Sequence, residues 1–184
     1  MQIRFYVSLG LLILFAFCGC GGSAEIEMKA AERAMSEART LHADDFAPAD
    51  FERAQKSWDH AQAAVKEGKT DAAKVLFTTA KLNFNKSAAI SKSKQEALNR
   101  ELDAMQSRIS NNLGQVNSDL SKKNLSSRQR EQVEAILSDV TKSNASIDKL
   151  MSQGELQKAV AAAKDVQTKV YNAQLILAGQ KPAR

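Results

Sequence analysis

The chain has 184 residues and a formal net charge of +5, with eight Gly, two Pro, two Cys and only 5% aromatic residues. The chain is rich in Ala, Lys, Gln, Ser and Leu, a composition that is typical of helical bundles and coiled coils. No stretch shows the alternation of β-branched residues that marks strands, which excludes strand-based folds. We expect an all-α protein: an elongated antiparallel bundle or coiled coil of about five helices with one long central helix.

The N-terminus has the pattern of an export signal. Arg4 precedes an uncharged run from Phe5 to Phe17. This run is long enough for the core of a signal peptide but shorter than the ~20 residues that a membrane span needs. Cys20 then lies among small residues, with Gly19 before it and two glycines after it. Small residues fit the extended backbone that a signal peptidase binds.

This segment resembles the lipobox of bacterial lipoproteins, in which the cysteine after the cleavage site is acylated. The resemblance implies a signal peptide of residues 1–19 and a lipidated linker of residues 20–23, with the lipid on Cys20. Cys18 is the weaker candidate because a bulky phenylalanine precedes it. Its removal with the signal would leave no thiol for a disulfide or a metal site. A secreted protein cut near Gly22 and an uncleaved anchor are the alternatives.

Acyl chains would hold the protein on a membrane surface without crossing the membrane. Gly21 follows the acylated position, where some bacteria have an aspartate that retains lipoproteins at the inner membrane. The resemblance therefore favours the outer membrane with the protein facing the periplasm, and the inner membrane is the alternative.

Two helices are predicted next. The first runs from Ala24 to near His42 and the second ends at Gly68, a natural left-handed cap. The second begins at Pro48, whose missing N–H costs nothing in a first turn. The apolar stripes that predict these helices have three-four spacing; they are Met28, Ala31, Met35, Ala38 and Leu41, then Phe51, Ala54, Trp58, Ala61 and Val65.

A long third helix restarts at Thr70 and meets no proline as far as Leu120. If unbroken, it holds about fifty residues and spans roughly 75 Å. Its weak points are the polar stretch from Ser87 to Lys94 and Gly114, because glycine costs ~1 kcal/mol relative to alanine. A compact four- or five-helix bundle with a break near Gly114 is the alternative.

Two more helices follow. A capping box of Ser126 with Gln129 opens the fourth, which closes at Gly154. The fifth has heptad spacing and ends at Gly179, before a loose tail of residues 180–184. Two hairpins therefore turn on glycine, which is a weak internal repeat. We expect an N-terminal helical module of residues 24–97 and a C-terminal coiled-coil module of residues 98–179.

The segments "FAPADFERA" and "AVKEGKTDAAKVL", together with the lipobox-like Cys20, are similar to a bacterial family of small lipidated helical proteins of unknown function. Members of that family sometimes precede a peptidoglycan-binding domain of the outer-membrane-protein-A type. The resemblance covers roughly residues 24–97. It implies a helical fold and an envelope location, and it provides no active-site residues.

The titratable residues do not form a recognisable catalytic or metal motif. A di-metal bundle needs a Glu three residues before each metal-binding His. At that position this chain has Arg39 before His42 and Ser57 before His60. No phosphate loop and no Ser-His-Asp or Cys-His arrangement is present. We expect no metal, no cofactor and no enzymatic activity.

Two other candidate features have simpler structural explanations. Asp44 and Asp45 could be an acid pair, but beside a turn they favour the start of the next helix. Trp58 lies on an apolar stripe, so we expect it to be a core residue rather than part of a ligand cage.

Basic residues are concentrated between Lys81 and Arg130, where they could meet lipid headgroups, lipopolysaccharide phosphates or peptidoglycan carboxylates. The leading hypothesis is a lipid-anchored periplasmic structural protein that binds an envelope protein or anionic component through helix faces. The alternative is a carrier or chaperone that holds an apolar ligand between helices. A homo-oligomer is compatible with both, whereas nucleic acid is disfavoured because the basic segment lacks stacking aromatics.

Overall fold

A computed structural model describes residues 22–181 of the chain. The proposed signal peptide, Cys20 and the last three residues of the tail lie outside this part. The described residues form six α-helices. The helices are α1 (Gly22–Thr40), α2 (Ala43–Phe46), α3 (Pro48–Lys66), α4 (Thr70–Lys122), α5 (Ser127–Ser152) and α6 (Leu156–Leu177). The prediction of an all-α bundle with one long helix is confirmed, and α4 continues through Gly114.

The sixth helix is α2, a single turn between α1 and α3 that the sequence analysis missed. His42 precedes it with a left-handed backbone, φ 51°. Ala47 then serves as both the C-cap of α2 and the N-cap of α3, with Pro48 in the first turn of α3 as predicted. One helical turn is too short to produce a recognisable apolar period, so the pattern could not reveal α2.

The chain divides into two compact units between Lys92 and Ser93. Unit 1 contains α1, α2, α3 and the first part of α4. Unit 2 contains the rest of α4 together with α5 and α6. The module boundary expected from the sequence is between residues 97 and 98.

Unit 1 is a three-helix bundle in which α3 and α4 are antiparallel. Phe51 in the first turn of α3 contacts Phe84 edge-on at 5.5 Å between ring centroids. Trp58, two turns later, contacts Phe77 at 5.1 Å, nearer the start of α4. The Ser91 hydroxyl of α4 donates to the Leu41 carbonyl just after α1. The C-terminal end of α1 therefore lies beside the C-terminal end of the part of α4 that belongs to unit 1. These two helices are parallel.

The core of unit 1 consists mainly of alanines and a few aromatic rings. Alanine lets helices approach closely, and the rings fill the remaining space. Val65, placed on the buried stripe by the sequence analysis, is 48% exposed, and Ala64 is buried in its place. The stripe steps by three residues after Ala61 rather than by four. The buried cluster is Ala31, Ala34, Ala38, Ala43, Ala54, Trp58, Ala61, Ala64, Ala73, Phe77, Ala80, Phe84 and Ala88.

Two serines, Ser87 and Ser91, lie fully buried on the inward side of α4. The Ser87 hydroxyl donates to the Phe84 carbonyl within the same helix at 2.8 Å. The Ser91 hydroxyl donates to Leu41, whose carbonyl follows the last turn of α1. Carbonyls at a helix C-terminus lack intrahelical donors. The polar stretch expected to weaken α4 therefore contributes a tertiary hydrogen bond. Heptad spacing after Ser87 and Ser91 also predicts Lys94 on this inward side of α4, but Lys94 is exposed.

Unit 2 has the same three-helix order and an aliphatic core. The predicted capping box opens α5 at Ser126 and Gln129. The Gln129 amide also donates to the Ile176 carbonyl at 3.3 Å, so the start of α5 lies beside the end of α6. The core residues of unit 2 are Leu102, Met105, Ile109, Val116, Val133, Val140, Ile147, Leu156, Ala159, Val160, Ala163, Val166, Val170, Ala173, Ile176 and Leu177.

The two units repeat the same hairpin 86 residues apart. In each turn the glycine N–H and the next N–H donate to carbonyls of the preceding helix, as in a Schellman motif. Gly68 and Gly154 have φ values of 71° and 75°. Six buried positions of α4 have buried equivalents in α6: Ala73 and Ala159, Phe77 and Ala163, Ala80 and Val166, Phe84 and Val170, Ser87 and Ala173, Ser91 and Leu177.

Alanine substitutions at two glycines should change stability in opposite directions. Gly114→Ala should stabilise the protein by roughly 0.5–1 kcal/mol, because this glycine is inside α4 and an added Cβ meets no atom within 4 Å. Gly154→Ala should destabilise it by about 1–2 kcal/mol, because alanine is strained at positive φ. Urea titrations followed by circular dichroism measure both. Equal signs for the two changes would contradict this assignment.

Candidate interaction surfaces

The helical structure begins close to the proposed lipid site. α1 starts at Gly22, two residues after Cys20. A recess of about 180 Å³ lies between the start of α1 and the Gly68 turn, and its lining is mostly apolar. Met28 and Val65 form its apolar walls, with Ala24, Glu25 and Thr70 around them. The first residues of α1 and this turn are therefore at the same end of unit 1.

The candidate catalytic residues are dispersed at the surface. His42 is exposed in the turn after α1, and His60 is exposed in the middle of α3. Asp44 and Asp45 are exposed in the first turn of α2, where carboxylates favour the helix dipole. Trp58 is buried against Phe77 and is a core residue. Within residues 22–181, no group of three or more His, Cys, Asp or Glu side chains could hold a metal ion.

Basic side chains converge at one end of unit 2, where α4 ends, α5 begins and α6 ends. Lys123 joins these elements: its ammonium pairs with Asp119 at 3.1 Å and donates to the Leu177 carbonyl at 3.4 Å. We call this group the cationic end. Its members, all exposed, are Lys122, Lys123, Arg128, Arg130 and Lys181.

The first turn of α5 places positive charge where a helix disfavours it. N-terminal turns carry a partial positive charge from their unpaired N–H groups and favour carboxylates. The first turn of α5 has no acidic residue and contains Arg128, with Arg130 directly after it. The lysines at 122 and 123, by contrast, follow the usual preference for cations at a helix C-terminus. Neither arginine is therefore stabilised by the dipole of its own helix.

An ion-pair cluster links α5 to α6 in the same unit. The Lys169 ammonium lies 2.7 Å from Asp139 of α5 and 2.9 Å from Asp165 of its own helix. The hydrogen bond to Lys169 lowers the pKa of Asp139, and the bonds to Asp139 and Asp165 raise the pKa of Lys169. Both charged forms are therefore favoured in the folded state.

Neutralising this lysine should have an effect that depends on pH. The Asp139 contribution is present above the usual carboxylate pKa near 3.8 and is lost as the pH falls through its lowered folded value. The Lys169 contribution is present below 10.5 and is lost as the pH rises through its raised value. Lys169→Gln should therefore lower the urea midpoint more at pH 7 than at pH 2. Lys158→Gln, which removes an exposed ion pair with the N-cap residue Glu155, is the control. Equal losses from Lys169→Gln at both pH values would refute the linkage.

Most members of the cationic end lie in the basic segment between Lys81 and Arg130, but the sequence does not reveal that they converge. Lys122, Lys123 and the two arginines belong to that segment. Lys181 was missed because it is about fifty residues away along the chain, and only the antiparallel pairing of α5 with α6 brings it near.

Among the described residues, no helix is both long and apolar enough to span a membrane. Comparison of the chain with models of protein families, with curated proteins and with solved structures found no match.

Proposed function

We propose that this chain is a lipid-anchored interaction protein of the bacterial cell envelope, attached through Cys20 to the outer membrane and facing the periplasm. Its role is to bind an anionic envelope component. The attachment rests on the sequence of residues 12–22, and the observation that carries the binding role is the cationic end of unit 2.

The charge distribution supports binding at this end. Cations at the N-terminal turn of a helix, beside further cations, repel each other and the helix dipole. A phosphate or carboxylate bound among Arg128, Arg130 and Lys122 would remove that repulsion and could accept paired hydrogen bonds from the guanidinium groups. Among the described residues at this end, Asp119 is the carboxylate held in an ion pair, and it binds Lys123. The remaining cations can therefore face a ligand.

The attachment is tested by two serine substitutions in the full chain, produced in a bacterium with labelled palmitate. Cys20→Ser should abolish labelling and release the protein from membranes. Cys18→Ser is the matched control and should retain both properties. Labelling that survives Cys20→Ser would refute the attachment at this residue.

The binding role is tested separately with Arg128→Gln/Arg130→Gln. The control, Arg100→Gln/Arg108→Gln, removes the same charge from exposed positions of α4. The probes are purified peptidoglycan sacculi, lipopolysaccharide and anionic lipid vesicles. We expect the first variant to lose binding to at least one probe that the control still binds. Equal binding by both variants would reject the cationic end as the site.

The recess beside Gly68 favours a second candidate function, a carrier of an apolar ligand. Its volume of about 180 Å³ accommodates a short acyl segment next to Met28 and Val65. Native mass spectrometry of the purified protein tests this function. A co-purifying lipid that Val65→Gln removes would support it, and a protein without ligand would count against it.

A further inference from the structure

The outward side of α4 in unit 1 differs from the other exposed helix surfaces of that unit. Every exposed position from residue 72 to residue 85 has an uncharged side chain. We call these positions the neutral face. They are Ala72, Val75, Thr78, Thr79, Leu82 and Asn85.

Three helices of the same protein serve as internal comparisons. The outward surfaces of α1 and α3 are rich in charge, with Glu32, Arg33 and Glu37 on α1, and Glu52, Lys56 and Asp59 on α3. The closest comparison is α6, the equivalent of this part of α4 in the second unit. The six positions equivalent to the neutral face, each 86 residues later, are also exposed and are Lys158, Ala161, Lys164, Asp165, Thr168 and Tyr171. The second unit therefore has charged residues on the surface that corresponds to the uncharged neutral face of the first unit.

Leaving the neutral face exposed to water costs free energy. Val75 is 67% exposed and Leu82 is 61% exposed. Val and Thr are poorer helix formers than Ala, Glu or Lys, and at exposed positions no packing within the chain compensates for this difference. The Thr79 hydroxyl donates to the Val75 carbonyl at 2.9 Å, so it is satisfied within the helix. What Thr79 offers to a partner is mainly its methyl group.

We propose that the neutral face is a self-association surface on which the same face of a second copy of this chain packs antiparallel. Ala72, Val75, Thr79 and Leu82 follow steps of three, four and three residues, the spacing of a coiled-coil seam. This seam lies opposite the buried stripe of α4. One helix can therefore pack within unit 1 and against a second copy at the same time.

Charge complementarity selects the second copy and its direction. Asp71 lies at the beginning of the neutral face and Lys86 lies just beyond its end. An antiparallel pair with its two-fold axis near Thr78 and Thr79 brings Asp71 of each copy opposite Lys86 of the other. A parallel pair would instead set Lys86 against Lys86 and Asp71 against Asp71. No fully exposed position between Asp71 and Lys86 carries a charge, and the partly buried Lys74 pairs with Asp71 at 3.2 Å.

The seam is short, so the association should be weak in dilute solution. Fourteen residues of helix extend for roughly 21 Å, and a stable interface buries about 800 Å² on each partner. The proposal goes beyond the envelope function and does not depend on a lipid at Cys20. It is therefore tested in a chain that cannot be acylated.

The experiment uses the full chain with Cys18→Ser and Cys20→Ser, purified in a nonionic detergent, and a short bismaleimide cross-linker. A single Thr79→Cys substitution, next to the two-fold axis, should give a cross-linked dimer. Ala72→Cys should not, because an antiparallel pair separates its two copies by roughly 20 Å. Thr168→Cys is the control on α6 and measures chance encounters within a micelle.

Each outcome decides the proposal. The proposal is supported if Thr79→Cys gives more cross-linked dimer than the Thr168→Cys control while Ala72→Cys gives no more than that control. Thr79→Cys at the control level overturns self-association, and efficient cross-linking at both positions overturns the antiparallel direction. Adding Leu82→Gln to the Thr79→Cys chain should reduce the dimer to the control level, with an unchanged circular dichroism spectrum showing that the fold persists.

Charge exchange provides an independent readout. In the Thr79→Cys chain, Asp71→Lys should reduce the dimer because it places two lysines opposite each other. Adding Lys86→Asp should restore the dimer, since each new lysine then faces a new aspartate. Lys86 also pairs with Asp50 inside the unit, so thermal unfolding of each variant is measured alongside. Loss of the dimer without restoration in the double variant would overturn the pairing of these two residues.

Discussion

Trp58→Ala is expected to lower the free energy of unfolding of unit 1 by about 3–5 kcal/mol, the usual cost of truncating a buried aromatic side chain. The Trp58 ring is only 6% exposed and contacts Phe77 edge-on. The alanines around it cannot expand to fill the space it would leave. Because the chain has a single tryptophan, urea unfolding should be followed by circular dichroism rather than by fluorescence.

The matched control for this change is Tyr171→Ala. Tyr171 is an aromatic residue that is 53% exposed on α6, so its removal should change stability by no more than about 0.5 kcal/mol. A Trp58→Ala variant as stable as this control would show that the ring is not part of the unit 1 core.

Leu102→Ala should destabilise unit 2 by about 2–5 kcal/mol. Leu102 is fully buried in the second part of α4, and the residue before it, Glu101, pairs with Lys164 of α6 at 3.0 Å. Each unit has a core of its own, so the consequences of the two substitutions should be local. Hydrogen exchange should accelerate mainly in α5 and α6 for Leu102→Ala, and mainly in α1 and α3 for Trp58→Ala.

A solvent-facing leucine provides the comparison for this second substitution. Leu82→Ala removes the same number of atoms from a position that is 61% exposed and should leave hydrogen exchange of the purified monomer nearly unchanged. If Leu102→Ala and Leu82→Ala have equal effects, burial does not determine the stability of this helix.

The sequence predicted the helices of this protein well because their signals are local. Ser126 and Gln129 form the predicted capping box. Gly68 and Gly154 lie at the predicted hairpin turns, and both have a left-handed backbone. The heptad spacing predicted for the fifth helix corresponds to buried positions of α6, which run from Leu156 through Ala163 and Val170 to Leu177. Heptad spacing, caps and turn glycines each depend on a few neighbouring residues, so they can be identified without tertiary structure.

Features that depend on distant residues could not be predicted in this way. The hydrogen bond from Ser91 to Leu41 joins residues fifty positions apart, and the sequence offers only a serine on an apolar stripe. The same limit applies to Lys181 at the cationic end. The neutral face is a different case: its residues are local, but they become unusual only once the structure shows which side of α4 is buried.

The repeat also shows how the third helix of each unit ends. Ser93 and Gly179 occupy equivalent positions, 86 residues apart. The helix passes through Ser93 and becomes the first helix of unit 2, whereas α6 ends at Leu177 and Gly179 adopts φ 74°. The continuing helix thus has a serine where the terminating helix has a glycine with positive φ. A designed chain with serine at 179, followed by a duplicate of residues 94–181, should extend the protein by one more modular unit.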